Sequence, residues 1–417
     1  MLVYVLNKRG EPLMPCSGAK ANRLLKDGKA VVVKRTPFTI QLTIATGENV
    51  QPLTLGVDSG YKNVGLSAVS EKKELFSSEV KLRTDVSKKL TERKQYRRTR
   101  RSRLWHRKPR FNNRTRPEGW LAPSIKHKLA RHVKAVELVS SILPLSSVIV
   151  ETAAFDIQKL KNPEILGKEY QNGEQAGFWN AREYVLHRDG HNCQACKGKS
   201  KDKVLNVHHV TQRTDGGTDK PNNLLTLCET CHKAYHAGRI KLGKVKVLKE
   251  YKAETFMSMV RWKLINILRA LGYAVSHTYG YITKSARIAL SLPKSHVNDA
   301  FCITGRTVQK RTGNNYFIKF VRKCNRSLFK ANLLKGGRRK VNTLKEAFGF
   351  RRWDKVIYGG IECFIYGIRS SGYFDIRSLT GEKIGASVKW IHLKPVELFK
   401  TWRIALLPAL TDGVSEL

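Results

Sequence analysis

VHHVTQRTDGGTDKPNNLLTLCETCH, residues 207–232, sets two adjacent histidines, a glycine-containing loop, an asparagine and a third histidine against a Cys-x-x-Cys pair. That pair, Cys228 and Cys231, has a counterpart upstream in Cys193 and Cys196. Four thiolates in two knuckles satisfy a closed tetrahedral Zn²⁺. A redox CxxC, or two unrelated pairs, is the competing reading. The remaining cysteines, Cys16, Cys302, Cys324 and Cys363, are scattered, which is metal usage in a reducing compartment rather than a disulfide framework. Between the knuckles, His208 and His209 stand at the end of an expected strand, Asn223 follows the loop, and His232 opens an expected helix. Residues 178–245 therefore read as a strand, a loop and a helix pinned by zinc.

A unit this small suits hydrolysis that needs few groups: one neutral imidazole to take a proton from water, one cation to stabilise charge on phosphate and leaving oxygen, and one polar group to hold the loop. In this pattern the block resembles the ββα-metal nucleases of the HNH family. The resemblance implies His209 as general base, His208 and His232 as ligands of one Mg²⁺, and Asn223 as the residue that fixes the loop carrying the base. His236, one turn beyond His232, falls where it contacts either phosphate or metal. A zinc-ribbon binding module with incidental histidines is the alternative.

Working outward, LTLGVDSGYKNVGLSAVS (53–70) reads as a strand, a tight glycine turn and a second strand, with Asp58 at the end of the first. SSVIVE (146–151) is a further strand ending in Glu151. Singly, each of these acids is as compatible with a turn residue as with a ligand. In HVNDA (296–300), Ser295 stands at a helix start, and His296 and Asp299 at i, i+3 share a face. Together the three carboxylates resemble the RuvC branch of the RNase H-like fold. That resemblance implies Asp58, Glu151 and Asp299 as ligands of two Mg²⁺ ions about 3.5–4 Å apart, with His296 positioning or activating water. Mg²⁺ is hard and prefers oxygen ligands. Ninety-three residues separate Asp58 from Glu151, and 148 separate Glu151 from Asp299; these gaps read as insertions into one fold.

The first insertion, 81–116, holds sixteen Lys/Arg against Asp85 and Glu92 alone, with Tyr96, Trp105 and Phe111 interleaved. Arg93, Arg97, Arg98, Arg100, Arg101, Arg103, Arg107 and Arg110 are its candidate nucleic-acid contacts, since arginines along a helix grip phosphates and aromatics stack on unpaired bases. A merely solvated basic face is the bland reading. The charge of the whole chain agrees with a polyanionic partner: 78 Lys+Arg against 33 Asp+Glu leave +45. An anionic membrane fits poorly, because no 18-residue apolar run exists. LVYVL near the start is short for a signal core and precedes its basic residues, so a cytoplasmic, prokaryotic location is expected, nucleoid-associated when on DNA.

The order EPLMP (11–15), GVDSG, arginine segment, IVETAAFD, Cys/His block, HVNDA and basic tail resembles the IscB family. These are transposon-associated relatives of the type II CRISPR effector nucleases that use a structured noncoding omega RNA as guide. The resemblance implies an α/β multi-domain fold: an RNase H-like (RuvC) core split by an arginine-rich bridge helix and an inserted zinc-stapled HNH domain, with small N-terminal and β-rich C-terminal domains. The expected boundaries are 1–52 for the N-terminal unit, 53–80, 118–160 and 246–305 for the RuvC pieces, and 81–117 for the bridge. A linker at 161–177, HNH at 178–245 and a C-terminal unit at 306–417 complete them. The resemblance further implies a monomeric ribonucleoprotein that cuts target double-stranded DNA, HNH on the guide-paired strand and RuvC on the displaced one. A protein-guided HNH- or RuvC-type nuclease and a non-catalytic RNA-binding transposon regulator remain the alternatives.

Overall fold

The computed structural model describes residues 2–102, 119–152, 180–212, 221–240, 242, 252–306, 308–322, 344–398 and 400–407. The chain forms two compact units, one of residues 1–154 with 256–417 and one of residues 155–255. The expected linker at 161–177 lies outside the described residues.

The chain opens with β1 (Leu2–Leu6), β2 (Pro12–Ser17), α1 (Gly18–Lys26), β3 (Ala30–Lys34) and β4 (Thr39–Leu42), a small sheet in the order β2-β1-β4-β3. β2 carries Pro12 and Pro15 and lies on the sheet edge, where a missing N–H breaks no ladder.

β5 (Thr54–Ser59), β6 (Asn63–Val69) and β7 (Glu74–Lys81) form an antiparallel meander, followed by α2 (Val86–Ser102), α3 (Pro123–Ser140) and β8 (Ser147–Thr152). The second unit contributes α4 (Ala181–Arg188), β9 (Leu205–His209), β10 (Leu224–Cys228) and α5 (Glu229–His236). The first unit resumes with α6 (Lys252–Ala270), β11 (Val275–Tyr279), α7 (Gly280–Ala289), α8 (His296–Ile303) and β12 (Asn315–Phe320). A short hairpin, β13 (Glu346–Ala347) with β14 (Phe350–Arg351), leads into β15 (Lys355–Tyr358), β16 (Ile361–Ile368), β17 (Tyr373–Arg377), β18 (Lys383–Lys389), β19 (Lys394–Glu397) and β20 (Trp402–Leu407).

Seven strands make the central sheet, in the order β11-β8-β5-β6-β7-β12-β20, with β11, β8 and β5 mutually parallel. β5 is buried at every position because helices cover both faces. On one face α3 and α6 bring Leu129, Val133, Val136, Val260 and Leu264 against Leu55, Val57 and Val150. On the other, α8 lies so close that side chains have no room. A Cβ on Gly56 would stand 2.0 Å from the Ala300 carbonyl oxygen, and one on Gly65 would stand 1.8 Å from that of His296. These two glycines set the depth at which α8 seats and so the height of His296 and Asp299 over the sheet.

Two features depart from the sequence-based expectation. The range 306–417 is not a body apart: β12 and β20 pair with each other, and β12 pairs with β7, extending the main sheet. NYFIKF is a six-residue apolar run whose partners lie far away in sequence, so periodicity alone cannot assign it. Only β15–β19 form the separate five-stranded sheet of the tail. The second departure is α7, a helix between HVNDA and β11 that no motif announced.

No described side chain of α2 is buried. Arg93, Arg97 and Arg98 are exposed and Arg101 is half-buried, while Arg103, Arg107 and Arg110 lie outside the described residues, as does the side chain of Arg100. A helix polar on all sides finds no place in a protein core. Among the described residues, no helix is long and apolar enough to cross a membrane.

Candidate active sites

In the second unit, β9 and β10 pair with His208 opposite Leu225 and His209 opposite Leu224. A 3₁₀ turn at Pro221–Asn223 enters β10, and Cys228 caps α5, its sulfur accepting from the Cys231 N–H. Cys193, Cys196, Cys228 and Cys231 place their sulfurs within 4.8 Å of one another. Cys196 and Cys228 stand 3.8 Å apart, the edge of a tetrahedron whose metal–sulfur bonds are about 2.3 Å. Hydrogen bonds from Ser200 pull Cys196 down to about 6, whereas burial and the other sulfurs push Cys231 up. Four thiols in one small space cannot all ionise without a cation between them, so the donor set fits Zn²⁺.

A second cluster forms from His208 on β9 and His232 and His236 on α5, their ring nitrogens again within 4.8 Å. Burial first, then the imidazoles of His232 and His236, pull His208 down to about 4; it is neutral near pH 7, with a lone pair to give. Three imidazoles, with no carboxylate among the described residues of the cluster, suit a borderline transition ion better than Mg²⁺, so the Mg²⁺ expected here is not the ion this donor set fits best. His209 stands outside the cluster, since successive residues of a strand leave opposite faces. Asn223 grips the segment just past β9. Its side-chain oxygen accepts from the Thr211 N–H at 2.9 Å and its side-chain nitrogen donates to the Thr211 carbonyl at 2.9 Å, while the Val210 N–H donates to the Asn223 carbonyl at 2.8 Å.

In the first unit, Asp58 and Glu151 lie side by side at the C-terminal ends of the parallel pair β5 and β8, whose register matches Val57 with Val150. Ser59 Oγ donates to the Glu151 carbonyl at 2.7 Å, pinning the two strand ends together. α8, capped by Ser295, brings His296 and Asp299 to the same edge. His296 Nδ1 meets Asp58 Oδ2 at 2.6 Å, and this hydrogen bond raises the His296 pKa. Burial and then the Asp58 carboxylate push Glu151 up to about 7, and the same two causes raise Asp299. Two acids raised by burial and by a neighbouring carboxylate mark a site short of positive charge, and the carboxylate oxygens there fit a hard cation such as Mg²⁺. They do not converge as tightly as the cysteines or histidines, and Asp299 is paired with Arg287 of α7 at 2.9 Å.

Sequence reasoning missed Arg287, Thr283, a buried residue beside Glu151, and the props under the turn after Asp58. These props are on α3: Lys128 Nζ donates to the Tyr61 carbonyl at 2.8 Å, and the buried His132 ring lies 3.1 Å from the Gly60 carbonyl. Each is a single residue in an otherwise ordinary helix, with no spacing to flag it.

The raised Glu151 has a testable consequence. An acid with a native pKa of about 7 against an ordinary 4.5 binds its proton more tightly when folded. Its contribution therefore destabilises the metal-free protein as pH rises through that interval. Mg²⁺ requires the ionised form, so binding at pH 6 releases a proton and binding above pH 8 does not. Calorimetry in two buffers of different ionisation enthalpy should show about one proton released at pH 6, absent in Glu151→Gln. Buffer-independent heats for the unsubstituted protein would remove Glu151 from the ligand set.

Two family models match the chain. One, described as an RRXRR protein, matches residues 3–173; Arg97-Arg98-Thr99-Arg100-Arg101 on α2 spells that motif. The other, HNH endonuclease, matches residues 193–238, from the first zinc-type cysteine to just past His236. Among curated proteins, Anaredoxin from a Nostoc species is 33% identical over 63 residues, 15% of this chain and 79% of that protein. Among solved structures, Streptococcus thermophilus Cas9 in complex with the AGAA PAM is 12% identical, covering 44% of this chain and 26% of that one with a TM-score of 0.28. The type II-C Cas9 from Actinomyces naeslundii is 16% identical, covering 49% and 30% with a TM-score of 0.16. The chain thus spans 26–30% of the length of these two structures. With an RRXRR match running from the first strand across the arginine helix, and an HNH match enclosing both cysteine pairs and all three clustered histidines, the chain carries both regions and resembles the IscB-like, Cas9-related nucleases.

Proposed function

We propose that the protein is an RNA-guided endonuclease that cuts both strands of a DNA target, one at each of its two sites. The observation that carries this reading is the pairing of two chemically different hydrolytic constellations in one chain, histidines in one unit and carboxylates in the other. An arginine helix with no buried described side chain intervenes between strands of the carboxylate-bearing sheet. Two sites suit two strands, and a basic helix that no protein core claims suits a nucleic-acid backbone.

At the HNH site, His209 takes the proton from the attacking water, and Asn223 holds the backbone beside it through Thr211. His208, His232 and His236 would hold a divalent cation, which supplies positive charge for the phosphate and leaving oxygen. This site cuts the guide-paired strand. At the sheet edge, a RuvC-like site on an RNase H-like core, Asp58, Glu151 and Asp299 would hold two Mg²⁺ ions and His296 orients Asp58. Arg287 neutralises Asp299 until metal does so. This site cuts the displaced strand. Base pairing with the guide reads sequence, while the protein grips the backbone and reads a short flanking motif through the tail.

The test is the RNA itself. Full-length protein purified from its native host should carry a discrete RNA species. Its affinity should fall with salt at a log–log slope of roughly −0.7 to −0.9 per phosphate neutralised. Replacing Arg93, Arg97 and Arg98 together by Ala removes exposed charges only. It should lower the slope by about 2 to 3 and weaken RNA binding with thermal unfolding unchanged. A variant that binds RNA with an unaltered slope would sink the assignment of α2.

A further inference from the structure

A row of four rings crosses the surface of the first unit. Trp262 of α6 meets His277 of β11 with ring centroids 5.3 Å apart, and His277 meets Tyr279 at 5.6 Å. Tyr279 stacks on Tyr281 at 6.1 Å with 9° between the ring planes. Trp262 is 47% exposed and Tyr281 is 71% exposed, and His277 is also exposed. Burial does not account for rings this open to solvent. Among the described residues, β11 is the edge strand of the sheet and no strand lies beyond it.

The row ends beside the carboxylates. Tyr279 and Tyr281 flank Gly280, and a Cβ on Gly280 would stand 3.1 Å from Glu151 Oε1. Tyr279 closes β11 opposite Thr152, the residue after Glu151. Charge favours a polyanion along the same path. From Thr255 to Asn298 the chain contains no Asp or Glu and six Lys/Arg: Arg261, Lys263, Arg269, Lys284, Arg287 and Lys294. Aromatic rings beside a cationic surface are the chemistry of single-strand binding, in which bases stack on rings and phosphates meet Lys and Arg. Duplex DNA, its bases already stacked on one another, has no faces to offer.

We infer that Trp262, His277, Tyr279 and Tyr281 form a stacking rail for unpaired DNA bases that leads a single strand to the carboxylate edge. The inference rests on the reading of that edge as a hydrolytic site and adds the subsite that receives its substrate.

The experiment compares full-length protein with Trp262→Ala/Tyr281→Ala, using EDTA to prevent cleavage. Two probes are titrated: an oligothymidine strand, and a strand of equal length with abasic sites in place of bases. One stacked base corresponds to roughly 5- to 150-fold in affinity. The variant should therefore bind oligothymidine at least about tenfold more weakly, with affinity for the abasic strand within about twofold. Trp262→Leu/Tyr281→Leu, which keeps apolar bulk but no ring, should behave the same, and Trp262→Phe/Tyr281→Phe should retain binding. Equal losses on both probes, or unaltered oligothymidine binding, would overturn the rail.

Asp58→Ala, assayed alongside with Mg²⁺, separates the rail from the site it serves. If Asp58→Ala abolishes cutting of the displaced strand while the ring variants bind as before, the rail fails and the site stands. If Asp58→Ala still cuts the displaced strand while the ring variants lose base-dependent binding, the rail stands and the carboxylate assignment fails.

Discussion

Replacing His209 by Ala is expected to leave an enzyme that nicks only the displaced strand, and replacing Asp58 by Ala one that nicks only the guide-paired strand. The two changes act on different chemistry in different compact units. His209 lies outside the histidine cluster that would hold a cation, so its loss removes a proton acceptor and leaves His208, His232 and His236 in place. Removing a general base costs about 10²–10⁴ in rate, and slow residual cutting of the guide-paired strand is within expectation. Asp58 lies beside Glu151 and holds the His296 ring at 2.6 Å. Its removal takes away one carboxylate and the partner that orients the imidazole together, so cutting of the displaced strand should fall below detection. The double variant should bind target and cut neither strand, because binding rests on base pairing and backbone contacts. Separately labelled strands, incubated with guide, matched target and divalent cation, give the result directly. Equal loss of both cuts in either single variant, with binding preserved, would mean that one centre serves both strands.

What could be read from sequence follows how locally each feature is encoded. The cysteine pairs and the His208–His232 block lie within forty residues, and tetrahedral thiolate chemistry restricts what such spacing means. The edge that carries Asp58, Glu151 and Asp299 was visible only as three isolated strand and helix ends. Neither acid at a strand end separates a ligand from a turn residue, and family resemblance had to join them. Gly56 and Gly65 carry a constraint that no local pattern expresses, since the backbone they accommodate belongs to α8, more than two hundred residues away. The same distance hid β12 and β20, whose pairing with β7 and with each other is settled by the sheet and not by the six-residue runs themselves. Arg287 escaped because a lone arginine in a short helix looks like surface charge until Asp299 is found opposite it. His236 was legible as a histidine one turn after another, but whether it faced metal or phosphate was open. Its ring centroid stands 4.6 Å from that of His232 and 5.1 Å from that of His208, inside the cluster.

Cys228→Ser should cost the second unit its zinc and, through one helix, its cut. Cys228 does two jobs there: its sulfur belongs to the cluster of four, and it caps α5 by accepting from the Cys231 N–H. Among the described residues of the unit, the buried apolar side chains are Val185, Leu186, Cys193, Leu224, Leu225, Leu227 and Cys228, and the two thiols sit at its centre with Leu225 and Leu227. Structural zinc binding in small domains is worth about 10–16 kcal/mol, as much as the burial of the unit's described aliphatic side chains at roughly 1.5–3 kcal/mol each, so the unit does not stand without it. α5 also carries His232 and His236, so unfolding it disperses the histidine cluster along with the cysteines. The sheet of the first unit has its own core and should be indifferent. Metal analysis is expected to give one zinc per chain for the unsubstituted protein and none for Cys228→Ser. Protease should then cleave the variant within residues 180–240, and strand-specific assays should show the guide-paired strand intact and the displaced strand still nicked. Asp202, which accepts from the Thr230 N–H and hydroxyl at 2.8 and 2.9 Å, supplies the contrast. Asp202→Ala weakens the start of the same helix without touching a sulfur and should retain zinc. Native protein free of zinc would remove the structural ion. Loss of both cuts in Cys228→Ser, with the first unit's unfolding transition unchanged, would show that the displaced-strand site depends on the zinc unit in a way that two independent cores do not provide.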